Sequence, residues 1–486
     1  MNDVSQQNNL AVRTTQGAIW STIERFSTQG INLLVGVVLA RILAPELFGL
    51  IAMLTIFMSL SSLFVDSGFG KALIQKQNKT EVDYSSVFFF NIFIGLIGYI
   101  FLFISAPFIA DFYGIPLLSK LLRYLGLTVI INSFIVVHNA ILIEKLNFKF
   151  LAKVNLLSVL ISGSCSIWYA YNGGGIWALV VKSLLQSVIT TLLLLFFYRW
   201  RPQLVFSFRI LKELFNYGSK LLISGFVYTI IGNLSSLLIG KFFHSRQVGY
   251  YTRGSLFSDT IASTFQSIVI NVSFPVLATI SSERDRFVFG ARKIINMGSI
   301  IICFILISFA LLAKSFVLLV LTEKWLPCVP VIQLLCIARA ITSIGIINIT
   351  MLQAFGRTDL ALRIDMLKVP LNLLAILIGV YWGIIGVAIG QVCLSILCFY
   401  INTYYTSKIF DYGVLEQLKD LSKMFISLLF MVFIVLIVLQ LIDSSVSELL
   451  LGAIAGFLAY ALALYVQKSQ ELHEFIVVLQ KVRIKL

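Results

Sequence analysis

The sequence predicts an all-α polytopic membrane protein of about fourteen transmembrane helices, built as two pseudo-symmetric six-helix lobes plus two C-terminal helices. Three observations predict this fold. Hydrophobic residues make up 59% of the 486-residue chain and charged residues only 12%, against about 25% charged in an average soluble domain. With a mean hydropathy of +0.96, lipid has to be the solvent for most of its surface. Second, apolar runs close to the roughly 20 residues that cross a hydrocarbon core recur along the whole chain, too long for barrel strands and without their alternation. Third, the lysines and arginines fall in short segments between these runs, with a bias that alternates from one segment to the next.

In order, helices are predicted at 16–42, 47–70, 84–110, 117–143, 151–172, 176–198, 211–242, 247–275, 288–313, 328–354, 360–382, 384–406, 420–442 and 447–467. No intervening segment is long enough for a soluble domain; the longest, Lys314 to Pro327, reads as a loop. With the N-terminus inside, the inner segments carry about 25 lysines and arginines and the outer ones about 8, which places both termini in the cytoplasm. Trp20, Trp168, Trp177, Trp200, Trp325 and Trp382 all fall near predicted helix ends, as in an aromatic belt. Met1–Val12 lacks a basic n-region and a short h-region, so no cleaved signal peptide is expected.

A weak internal repeat accompanies this count. Under a shift of 200, Ile31, Leu34, Arg41 and Gly49 meet Ile231, Leu234, Lys241 and Gly249; under a shift of 210, Leu142, Lys153 and Leu157 meet Leu352, Arg363 and Leu367. The matches lay the first six helices over the next six and predict an N-lobe at 16–200, a C-lobe at 210–406 and an appendix at 420–467. Six helices per repeat is an even number, so both halves keep one orientation. Parallel repeats of this kind occur in transporters that rock about a central site.

Composition excludes several function classes. The net charge of +15 is spread among loops rather than gathered in a basic domain, so no nucleic-acid partner is expected. The six cysteines show no CxxC pair or metal-ligand spacing, and His138, His244 and His473 are dispersed, so no metal and no cofactor are expected. There is no Walker A motif for an ATP-driven pump. The large outer loop with paired carboxylates that a membrane glycosyltransferase would need is missing, so the chain is not read as an enzyme.

Ionisable residues inside the bilayer are expensive and mark function by default. Glu24 and Arg25 lie about 12 Å along the first predicted helix at ~1.5 Å per residue. Being about 100° apart, they cannot face each other squarely. Arg339 sits near the middle of the tenth helix with no local partner, and Lys220 and Lys182 lie some two turns into the seventh and sixth. Arg253 and Asp259 are on the eighth, and Asp66 lies near the inner end of the second. The substrate-cavity candidates are therefore Arg25, Arg339, Glu24, Lys220 and Arg253, with Arg41 and Lys241 as a symmetric pair at the outer mouth; Asp259 and Asp66 are the coupling candidates. Structural readings compete. Lys182 and Lys220 can snorkel to an interface, Asp365 and Lys368 can simply pair, Asp66 can cap a loop, and Arg41 and Lys241 can each cap the helix they end. Deep cations outnumber deep acids, which favours an anion such as a phosphate as cargo.

A family resemblance joins this reading. Leu39-Ala40-Arg41-Ile42-Leu43-Ala44-Pro45-Glu46-Leu47-Phe48-Gly49, Lys71-Ala72-Leu73-Ile74-Gln75 and Gly175-Ile176-Trp177-Ala178-Leu179-Val180 come first. Leu238-Ile239-Gly240-Lys241-Phe242, Gly249-Tyr250-Tyr251-Thr252-Arg253-Gly254, Phe274-Pro275, Glu323-Lys324-Trp325 and Ala354-Phe355-Gly356-Arg357 follow. In this order and spacing they resemble the polysaccharide transporter family of the multidrug/oligosaccharidyl-lipid/polysaccharide superfamily, the O-antigen-type flippases. The resemblance implies two six-helix lobes around a central cavity. It implies alternating access, coupled to an H+ or Na+ gradient, and export of an undecaprenyl-diphosphate-linked oligosaccharide across the bacterial inner membrane in concert with polysaccharide-assembly proteins. Many relatives carry an acid near the position of Ser235, so coupling through that position is put in doubt here. The alternative that the residues leave open is a small-molecule or drug antiporter of the multidrug branch.

Overall fold

The computed structural model describes residues 2–66, 69–76, 79–442 and 444–469; for 2–15, for 18 and for scattered positions between 66 and 231, Asp66, Lys71 and Lys220 among them, it describes the backbone alone. Every regular element in it is helical. The order is α1 Asn2–Ile42, α2 Pro45–Asp66, α3 Phe69–Gln75, α4 Glu81–Tyr113, α5 Leu117–Ser133, α6 Val136–Glu144, α7 Phe148–Tyr171, α8 Trp177–Phe197, α9 Phe208–Phe242, α10 Ser245–Thr279, α11 Arg284–Leu311, α12 Ala313–Val320, α13 Val329–Ala354, α14 Thr358–Val380, α15 Gly383–Phe410, α16 Val414–Asp420, α17 Ser422–Gln440 and α18 Ser445–Val466. Among the described residues, ten helices are long and apolar enough to cross a membrane, or eleven when α5 and α6, bent by 42°, count as one span. Helices also stand at the other three of the fourteen expected positions. α1 is more polar around Glu24 and Arg25, α14 carries Arg363, Asp365 and Lys368, and α9 holds several of the positions described by backbone alone.

Two expectations are corrected. The stretch from Lys314 to Pro327 is not a loop: it holds most of α12 and a short 3-10 helix at Glu323–Cys328, because Val317, Leu321 and Trp325 are apolar at helical spacing and become fully buried. The span at 117–143 is not one straight helix. Near its bend the Ser133 hydroxyl donates back to the Ile130 carbonyl at 2.6 Å, a contact that competes with the backbone ladder and bends helices.

The chain divides into two compact units, Met1–Gly249 and Tyr250–Leu486. In the first, α1 packs along α7, α4 along α5 and α2 along α9. Small residues permit the close approaches, as they do at membrane helix interfaces: a Cβ on Gly163 would lie 2.6 Å from Val35, and one on Gly95 would lie 2.8 Å from Ser133. The N-terminal end of α9 is fixed by Leu211 and Leu214 in a buried cluster with Phe69, Leu73 and Phe88. There Lys76 bridges Asp83 at 2.9 Å and Glu213 at 3.0 Å. Burial disfavours the Lys76 ammonium, but its two carboxylate partners outweigh that and hold its pKa above the ordinary lysine value.

In the second unit α13 is the central helix, packed on α11 and α15. The Asn402 amide donates to the Gly345 carbonyl across the α13–α15 contact at 3.2 Å. Asn348, Thr406 and Gln417 form a buried polar knot that ties α16 to the bundle. α17 and α18 pair with each other and lean on α11 and α12.

One corner recurs with a shift of 200. α1 ends at Ile42 and α9 at Phe242; α2 starts at Pro45 and α10 at Ser245. Leu43 N–H donates to Leu39 and Phe243 N–H to Ile239, at 2.8 and 2.9 Å; Leu47 donates to Ala44 and Gln247 to His244, at 3.1 and 2.9 Å.

Candidate functional site

Among the described residues, Glu24 and Arg25 stand side by side on α1, and Asp259 and Arg339 meet between α10 and α13. On α1, Glu24 accepts a 2.7 Å hydrogen bond from the Asn155 amide of α7. The helix that pins Glu24 against α7 turns its neighbour about 100° away, and Arg25 is exposed, with no hydrogen-bond or ion-pair partner among the described residues. Asn155 escaped the sequence reading, although a lone amide in the apolar run of α7 was a usable signal.

A cavity of about 380 Å³ lies in the same unit, where the C-terminal turn of α2 and α3 meet the α5–α6 bend; Ser62, Asn132 and Asn139 give its otherwise apolar wall polar points. Sequence reasoning missed it, because the bend is not written in proline or glycine. Asp66 ends the helix on this side, but its side chain lies outside the described residues, as does that of Lys220.

In the second unit the sequence view of Arg339 as partnerless is corrected. Its Nε donates to Asp259 Oδ1 at 2.5 Å, joining α13 to α10. The two side chains keep 28% and 46% of their surface exposed, so the pair lies at a wall rather than in a dry core. Asp259 belongs to a row on α10, with Ser255, Ser263 and Gln266, whose spacing of three to four residues sets them on one face. The Gln266 amide donates to the Ser343 hydroxyl at 3.0 Å, and that hydroxyl donates to the Arg339 carbonyl at 2.7 Å. These contacts hold the backbone that carries the guanidinium.

The other candidates stand apart from these groups. Arg253 is buried, with its guanidinium over the Trp325 ring at 5.6 Å. Lys182 is half-buried. Arg41 is exposed at the end of α1. The Lys241 ammonium donates to the Phe112 carbonyl and lies 4.3 Å from the Phe112 ring centroid, so it serves the C-terminus of α4 rather than that of its own helix. Asp365 and Lys368 pair at 3.0 Å. A groove of about 550 Å³ in the second unit, walled by Ile337, Ile341, Ile344, Phe399, Tyr400 and Leu428 among others, is almost wholly apolar.

The model of the family described as polysaccharide biosynthesis protein matches residues 38–330. The chain is 26% identical over 392 residues to the lipopolysaccharide biosynthesis protein WzxC of Escherichia coli K12, covering 80% of each chain. It is 27% identical over 369 residues to the teichuronic acid biosynthesis protein TuaB of Bacillus subtilis 168, covering 75% of this chain and 76% of that one. Among solved structures, lipid II flippase MurJ in an inward closed conformation aligns with a TM-score of 0.73 at 16% identity over 92% of this chain and 98% of its own. An inward-facing multidrug resistance MATE family transporter aligns with a TM-score of 0.57 at 16% identity, over 80% and 96%. At these identities the two structures speak for the fold.

Proposed function

Since the chain belongs to the polysaccharide biosynthesis protein family, we propose that it is a flippase. Its cargo is an undecaprenyl-diphosphate-linked oligosaccharide, moved from the inner to the outer leaflet of a bacterial cell membrane by alternating access for surface polysaccharide export. Both termini face the cytoplasm in this reading. The observation that carries it is Arg25: an exposed guanidinium midway along α1, without a counter-ion among the described residues. A guanidinium so placed calls for an anionic ligand, and the planar fork suits a phosphate in bidentate fashion.

Arg339 has a carboxylate in waiting. A diphosphate brings more charge and more acceptor oxygens than Asp259 and displaces it from the guanidinium, which frees Asp259 to take a proton or a cation. That exchange ties cargo to an H+ or Na+ gradient. The apolar groove of the second unit suits a prenyl chain. The names of WzxC, a lipopolysaccharide biosynthesis protein, and TuaB, a teichuronic acid biosynthesis protein, support the same class of cargo. An antiporter for cationic drugs would want acids where this chain has arginines.

The test is reconstitution in proteoliposomes with an undecaprenyl-diphosphate oligosaccharide carrying a fluorescent sugar. A membrane-impermeant quencher reads the leaflet. Quenching that grows with time in the intact protein and stops in Arg25→Ala is expected. Movement of a cationic dye instead, with the labelled lipid immobile, would overturn the reading.

A further inference from the structure

We propose that Gly49 and Gly249 form a steric latch that holds the N-terminal turns of α2 and α10 together, and that transport requires this crossing to open. It rests on the transport reading above.

The contact is reciprocal. A Cβ on Gly49 would lie 1.7 Å from the Ser245 carbonyl oxygen, and one on Gly249 would lie 2.1 Å from the Pro45 carbonyl oxygen. Each glycine therefore faces the residue that corresponds, under the shift of 200, to the one facing its counterpart. An internal repeat thus meets itself across a local twofold, as an isologous interface does. Both obstructing atoms are backbone, so no rotamer change can make room for a side chain. At this separation the glycine α-hydrogens point at carbonyl oxygens, the weak Cα–H···O contact that recurs where helices cross closely.

Charge marks the crossing as something that is held and released. Two helix N-termini, both positive ends of their dipoles, are brought together here. Glu46, in the first turn of α2, suits that field. Arg246, in the first turn of α10, opposes it, and α10 has no acid in its own first turn. Its Nε instead meets Glu46 Oε1 at 3.1 Å, and these two residues are again 200 apart. Arg246 and Glu46 keep 60% and 39% of their surface exposed. An ion pair so open to its surroundings adds little to fold stability. It sets the register of the crossing and is easily broken. A residue placed against its local preference signals a demand from elsewhere, and here the demand is the latch. The orientation proposed above puts the crossing at the outer end of the transport path.

The experiment uses the full chain with its exposed cysteines Cys165 and Cys393 changed to serine and with Glu46→Cys and Arg246→Cys introduced. A short, reducible bis-thiosulfonate linker joins the pair. Gly49→Ala and Gly249→Ala, each added to this background, should lower the linker yield several-fold by forcing the turns apart. Gly232→Ala, where a Cβ meets nothing within 4 Å, should leave it unchanged. Equal yields in all of these overturn the latch, and this arm reads geometry whether or not the protein transports. In the background with both glycines intact, linking should stop leaflet transfer of the labelled lipid, and reductant should restore it. Transfer that continues at full rate with the link in place overturns the requirement for opening. Protein that transfers nothing even unlinked, while the yields change as expected, counts against the transport reading and not against the crossing.

Discussion

Arg25 on α1 and Arg339 on α13 are the same residue type set midway along long helices, and they meet opposite fates. The first is exposed without a counter-charge among the described residues, while its neighbour Glu24 is held by a neutral amide. The second is committed to Asp259 across a helix–helix contact and braced through Ser343 and Gln266. An arginine without a partner stabilises nothing in its own fold, so its cost has to be recovered from a ligand. An arginine with a partner serves the fold first and a ligand only by exchange. The second unit supplies a framework that holds its charge, and the first offers a charge that something else must satisfy.

Variants can break this comparison. The largest effect is expected at Arg25. Arg25→Ala should lower leaflet transfer by about a hundredfold or more, the loss of a charge-assisted phosphate contact worth about 3 kcal/mol, with membrane abundance near normal. Arg25→Lys should recover only part, because an ammonium keeps the charge and loses the fork. Normal transfer in Arg25→Ala would end the idea that this residue holds the cargo.

At Arg339 the expected signature is different. Arg339→Ala leaves Asp259 uncompensated and should reduce the unfolding free energy by about 1–3 kcal/mol, less than a dry buried pair would lose because Asp259 is nearly half exposed. Adding Asp259→Asn should restore most of that stability while transfer stays low. Thermal unfolding of the detergent-solubilised variants measures it. If the double variant is no more stable than the single one, the pair is not what braces α10 against α13.

The smaller contrast is within the first unit. Asn155→Ala removes the donor to Glu24 and should cost about 1 kcal/mol, with transfer slowed only a few-fold. An effect on transfer as large as that of Arg25→Ala would mean that Glu24 and its amide, and not Arg25, make the decisive contact.

Much of this was legible before any coordinates. An α-helix in lipid satisfies its own backbone, so the apolar run that predicts a helix also nearly delimits it, and a helix stands at each of the predicted runs; the short helices α3, α12 and α16 lie largely outside those runs, and the run at 117–143 holds two helices. The contacts between helices were not legible. Arg339 and Asp259 are 80 residues apart, and nothing in the period of either helix says that α10 lies against α13. The bend at Ser133 left no proline or glycine to betray it. The separation of Glu24 from Arg25 was readable, because it follows from helical geometry alone; the identity of Asn155 as the partner required the packing of α1 on α7. The corner at residues 39–49 and 239–249 was readable as a repeat, while its meeting with itself across Gly49 and Gly249 was not.

The same corner supplies the smallest expected effect and a last way to sharpen the comparison of repeats. Arg41 and Lys241 are equivalent under the shift of 200, and a shared anion between them would make them a functional pair. The geometry of Lys241 argues for a different role. Its ammonium is committed to the Phe112 carbonyl at the end of α4 and to the face of the Phe112 ring, where a cation answers the negative end of the helix dipole for about 0.3–1 kcal/mol. Lys241→Met should therefore lower stability by about that amount and slow transfer slightly. The double variant with Arg41→Ala should show effects on transfer that add to within about 0.5 kcal/mol, as independent sites do. A coupling well beyond that, present with the labelled lipid bound and absent in its thermal unfolding without lipid, would put a phosphate between the two cations and make the symmetry of the repeat a feature of the cargo site. Additivity would leave Lys241 as a cap on α4, and the repeat as a matter of architecture at that position.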